Sequence, residues 1–158
     1  MGMKNLTIAV NMFKPVAVFA ASGPVPLGPN QGKFGDWTAA TYGSGAAKAC
    51  YAFTTATHGA AMLTVTERAG AHDEVTLTAG TAYPKDSTVR LMIGTEKFSF
   101  YTSGANAFTT QGPAAIAAFK AGTTAAEKSP GEHAMPEQDV FPLSGFSGAY
   151  GAIVAACP

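Results

Sequence analysis

Alanine outnumbers the residues that normally fill a protein core. The chain of 158 residues holds 31 alanines but only 29 Val, Ile, Leu and Phe combined. Burying one large aliphatic or aromatic side chain contributes roughly 1.5–3 kcal/mol, and an alanine methyl far less. Whatever this chain folds into must therefore be held by a thin apolar centre. Eighteen glycines and 10 prolines favour short elements and many turns over long helices. The length suits one domain, and 10% aromatic residues argue against a disordered chain.

Ten basic residues balance ten acidic ones, which leaves no electrostatic footprint for a nucleic-acid backbone. The balance is uneven along the chain. Lys4 and Lys14 are the only charges before Lys33, and every acid lies at or after Asp36. A basic start, apolar stretches over 6–13 and 15–21, and small residues from Ala20 to Gly23 have the layout of a secretory signal, with cleavage after Ala20 or Ser22. The alternative is a disordered or strand-forming N-terminus. Lys14-Pro15 splits the apolar stretch, and neither piece reaches the ~20 apolar residues of a spanning helix, so no membrane span is expected. Residues 1–32 read as leader and Pro-rich spacer, with Pro24, Pro26 and Pro29, and residues 33–158 as a single, slightly acidic domain.

An exported chain meets an oxidising compartment. There Cys50 and Cys157, the only two cysteines, are most simply a disulfide. Two buried free thiols and a metal site are the other readings, and no CxxC or CxxxH spacing supports the metal. Closing a loop of ~100 residues would contribute roughly 4–5 kcal/mol, a large share of a typical ~5–15 kcal/mol stability.

From Phe34 onward the hydrophobic period is mostly two, the period of strands. Segments 34–42 and 48–55 flank a Gly-rich loop and read as a hairpin. Met62 to Thr66 and Glu74 to Ala79 have strand character, and Thr88 to Ile93 with Lys97 to Thr102 forms a second hairpin around Gly94-Thr95-Glu96. Pro113 followed by Ala114 to Ala121 and closed by Gly122 reads as a short helix. Thr123 to Lys128 and Asp139 to Leu143 are late strands, and Ser144 to Ala156 has room for a helical turn or two. This pattern predicts an all-β, immunoglobulin-like β-sandwich of short antiparallel strands, with one inserted helix and a helical C-terminal turn.

Residues that could carry chemistry are few. His58, His72 and His133 are the only histidines, and none stands two or four positions from another, as ligands on one strand or helix would. His72 beside Asp73 and Glu74 is the best candidate base, because neighbouring carboxylates favour the charged imidazole. The competing reading is an exposed turn. Glu132-His133 lies in a Pro/Gly loop and reads first as solvated loop. Gly43 to Lys48 departs from the GxxxxGK[ST] spacing of a phosphate loop. Trp37 reads as core packing, and Leu143-Ser144-Gly145-Phe146 as a structural joint in which Gly145 permits a tight approach. No catalytic residue, cofactor site or metal site is assigned.

Phe34-Gly35-Asp36-Trp37-Thr38-Ala39, Tyr42-Gly43 and Cys50-Tyr51-Ala52 look like the opening of the invasion-associated locus B family of bacterial exported proteins. Leu63 to Thr66 with Arg68, Asp73-Glu74-Val75, Tyr83-Pro84, Ser87-Thr88-Val89, and Ile93-Gly94 with Phe98 and Phe100 follow in order. Ala117 to Gly122 is similar to its short helix, and Leu143 to Phe146 with Ala149, Ile153 and Ala156-Cys157 to its C-terminal signature. Two blocks depart. Asn106-Ala107-Phe108 stands where members commonly carry a Trp, and Ser129 to Pro136 replaces a basic Ser-x-Arg-Gly-Thr segment. The resemblance implies a periplasmic or surface-associated β-sandwich, linked in some members to host-cell entry, with envelope or host-surface proteins as partners and no established catalytic residues. A small periplasmic hydrolase using His72 or His133 is the alternative.

Overall fold

A computed structural model describes residues 23–130 and 136–158, without the side chains of residues 130, 136 and 137. The expected leader up to Ser22, with its cleavage positions, lies outside the described residues, as does His133.

The elements in chain order are β1 (Val25–Pro26), α1 (Pro29–Gly32), β2 (Lys33–Phe34), β3 (Trp37–Tyr42), β4 (Ala49–Thr55), β5 (Met62–Arg68) and β6 (Ala71–Thr78). β7 (Thr88–Ile93), β8 (Glu96–Ser103), β9 (Asn106–Phe108), α2 (Gly112–Ala121), β10 (Thr124–Pro130), β11 (Pro136–Pro142) and α3 (Phe146–Ala156) complete it. α1 is a single turn whose Asn30 and Gln31 have left-handed backbone angles. Every strand pairing is antiparallel, along the path β1-β3-β4-β5-β6-β9-β8-β7-β10-β11 with β2 beside β3. The path doubles over on itself. Trp37 Nε1 donates to the Pro142 carbonyl at 3.0 Å, the Thr57 N–H to Val140 at 2.8 Å and the Asp36 N–H to Ser144 at 3.0 Å. The result is the expected mainly-β, sandwich-like fold.

Alternation dictates which face each strand buries. On β7, Val89, Leu91 and Ile93 are buried, and the first two pair with the buried Phe100 and Phe98 of β8. A two-residue loop joins these strands, and Gly94 takes the positive φ (59°) that tight hairpin turns demand of their first central residue. β9 carries no such signal. At three residues it is too short to show a period, yet it pairs on both sides, joining β6 to β8. Ahead of Lys33, Val25 and Pro26 pair with Thr41 and Ala40 of β3.

Alanine is part of the core. Ala39, Ala52, Ala107 and Ala149 are fully buried, and small side chains on β3 and β4 let α3 lie close to the sheet. α3 runs for eleven residues, longer than a turn or two. Gly148 and Gly151 make it a poor helix in isolation, so its length rests on tertiary packing. Phe146, Ala149 and Ile153 form its buried stripe. Phe146 meets Trp37 edge-on at 4.8 Å and Phe119 of α2 at 5.3 Å, geometries favoured by aromatic quadrupoles. The joint before it behaves as expected. Gly145 has φ 89°, and a Cβ there would run into the Phe34 carbonyl.

Cys50 of β4 and Cys157, just past α3, form a disulfide with Cα atoms 5.9 Å apart. Of the three readings of the cysteine pair, this is the one the structure shows. Lys48 Nζ adds a hydrogen bond at 2.8 Å to the Ala156 carbonyl, meeting one of the unpaired carbonyls at the helix C-terminus. Reduction of the purified protein, or Cys157→Ser, should lower the melting temperature by roughly 10 °C or more. Superimposable melting curves with and without reductant would show that the bridge contributes nothing to stability.

Candidate functional site

Leu63, Val65 and Glu67 occupy the same inward-facing parity of β5, so the alternation that buries two apolar side chains also buries a carboxylate. Glu67 is only 2% exposed. A buried carboxylate must be met by donors, and two local features supply them. The register of β5 against β6 shifts between Thr66 and Arg68, a bulge of the kind that re-aims side chains at sheet ends. Asp73 sits at φ 56°, a left-handed conformation that Asp tolerates better than most residues. That turn of the chain brings the Asp73 N–H to Glu67 Oε1 at 2.9 Å and His72 Nδ1 to Oε2 at 2.8 Å.

The cluster extends to both helices. Tyr150 of α3 donates its hydroxyl to Asp73 Oδ1 at 2.6 Å. Lys120 of α2 lies over the Tyr150 ring, with Nζ 4.4 Å from the centroid. Gly112, at the start of α2, packs so closely on the Asp73 carbonyl that no Cβ would fit. Arg68 and Glu74 form an exposed ion pair at 2.7 Å beside it, of the type that contributes little by itself. On the far side, Glu67 is the β-ladder partner of Cys50. The cluster thus ties β5 and β6 to α3, and the disulfide ties the neighbouring β4 to the same helix.

Burial pushes the Glu67 carboxyl above its ordinary value of 4.5, overcoming the lowering by the Asp73 N–H and the His72 side chain. Burial, with the neighbouring Asp73 carboxylate, also pushes the Tyr150 hydroxyl upward, which keeps it a donor. The arrangement can hold a half-exposed imidazole in a fixed orientation, and it can lock a hairpin to a helix. His72 is on β6, not in the turn, which is Ala69-Gly70. His58 is exposed in the β4–β5 loop, at the other end of β5 and some 20 Å away at ~3.3 Å per residue. Among the described residues no group of three His, Cys, Asp or Glu converges as a metal site would need. Gly43 to Lys48 forms an exposed turn whose lysine serves α3, and Trp37 is fully buried.

With this geometry in place, one solved structure is informative. The crystal structure of invasion associated protein B from Bartonella henselae superposes with a TM-score of 0.61 at 18% identity, over 78% of this chain and 95% of that one. The two share a fold. No protein-family model and no curated protein sequence matches the chain.

Sequence reasoning singled out His72 with its neighbours Asp73 and Glu74 but missed Glu67 and Tyr150. The signal for Glu67 was present, as a charge on the apolar parity of β5; Tyr150 carried none, because its partner is 77 positions away. Two measurements test the cluster. Glu67 holds its proton to higher pH when folded than when unfolded, so its contribution is complete below 4.5 and is lost as pH rises through the raised folded value. Wild type should therefore lose stability relative to Glu67→Gln as pH rises from 4.5 towards neutrality. Parallel stability curves would contradict the burial effect. Tyr150→Phe should cost about 1.5–3 kcal/mol in denaturant unfolding, the range for a hydrogen bond to a charged acceptor.

Proposed function

We propose that this chain is an exported protein of the bacterial envelope, periplasmic or surface-associated, that acts by binding or as an accessory and not by catalysis. The observation that carries this reading is the fold shared with invasion associated protein B. The Cys50–Cys157 bridge supports it, because such bonds persist in oxidising compartments. Its partners would be envelope or host-surface proteins, and residues 1–22 would act as the signal.

The Glu67–His72 pair favours a second reading, a small envelope hydrolase with His72 as base and Glu67 as its orienting group; His133 would serve the same role. Such an enzyme needs a nucleophile within hydrogen-bond reach of the base. Among the described residues no hydroxyl or thiol bonds to His72.

Cell fractionation with N-terminal sequencing of the mature protein tests the leading reading. The expected result is a periplasmic or surface fraction with a new N-terminus after Ala20 or Ser22. An intact N-terminus in the cytoplasmic fraction would overturn it.

A further inference from the structure

The outer face of the sheet carries a feature that the core and the Glu67 cluster do not use. The registers align one lateral row across five strands: Phe53 of β4, Thr64 of β5, Thr76 of β6, Phe108 of β9 and Tyr101 of β8. At a strand spacing of ~4.8 Å the row is about 19 Å long. Its ends are aromatic platforms. Tyr51 stacks beside Phe53 with centroids 6.1 Å apart, and Tyr101 lies beside Phe108 at 5.7 Å. Tyr101 is 59% exposed, so its ring is presented to solvent.

Between the platforms the face is hydroxylated. Thr64 of β5 and Thr76 of β6 face one another, flanked by Thr66 opposite Glu74 on one side and Thr78 opposite Met62 on the other. Thr78 bonds to Asn106, and no hydrogen bond from a described residue occupies the hydroxyls of Thr64, Thr66 and Thr76. The row carries no charge, and Arg68 and Glu74 beside it neutralise one another.

We propose that this face binds a neutral, extended glycan, a chain of hexopyranose rings. The apolar C–H faces of sugar rings pack on aromatic rings, and their hydroxyls pair with threonine hydroxyls. A row without charge, beside an ion pair that neutralises itself, fits a neutral chain better than a polyanion. A laterally aligned row suits an extended β-1,4-linked ribbon better than a coiled α-linked chain. A second copy of this chain is the less suited occupant. Homodimer interfaces are more apolar than this, and burying unpaired threonine hydroxyls against a copy of themselves would cost free energy.

The test uses purified protein in isothermal titration with cellohexaose and chitohexaose, and with maltohexaose as the coiled control. Saturable binding of a β-linked chain, stronger than that of maltohexaose, is expected. Tyr101→Ala and the isosteric Thr76→Val should each weaken it about tenfold, or ~1.4 kcal/mol, with an unchanged melting temperature. Phe108→Ala should act in the same direction. Absence of saturable binding to both β-linked chains would overturn the proposal, as would equal binding by Tyr101→Ala and Thr76→Val. Concentration-dependent dimerisation abolished by Tyr101→Ala would assign the face to a second copy instead. These outcomes are separate from where the cell places the protein, so failure here leaves the export reading to its own experiment.

Discussion

The Cys50–Cys157 bond ties the end of α3 to the second long strand, and the packing of the domain depends on that attachment. α3 is the element that covers β3 and β4 from inside. It is rich in alanine and glycine, so it has little apolar surface and modest helix propensity with which to dock by itself. A covalent link across 107 positions reduces the conformational freedom that docking must otherwise overcome. Phe146 then meets Trp37 and Phe119, and the two ends of the strand path are held together beneath it by the Trp37, Thr57 and Asp36 hydrogen bonds.

The Glu67 cluster holds the same helix from β5 and β6. A carboxylate facing inward at the end of β5 is a cost that an apolar residue would avoid. Its donors come from a bulged hairpin, and the next link, Asp73 to Tyr150, reaches α3. The polar network and the disulfide are therefore two attachments of one helix, one directional and one covalent. A chain with so few large aliphatic residues has reason to use both. The fold is shared with invasion associated protein B, and one fold carries many functions.

Much of the strand pattern was legible in the alternation of residues. Val89, Leu91 and Ile93 announce their buried face, and Gly94 and Gly145 mark positions where the backbone needs a residue without a Cβ. β9 was not legible, because three residues show no period and Asn106 to Phe108 is a strand only by virtue of neighbours on both sides. The length of α3 was underestimated for a related reason: local propensity undervalues a helix whose stability comes from packing.

The sequence by itself determined the thin core, the uneven charge, the hairpins and the presence of two cysteines able to bond. These are local or compositional properties, readable from residue type and spacing. Only the tertiary structure decided what Glu67, Asp73 and Tyr150 do together, and that Phe53, Thr64, Thr76, Phe108 and Tyr101 fall into one row. Register is the physical reason. A strand shows which of its residues share a face, but the neighbour each residue meets across the sheet depends on pairings set by the whole chain.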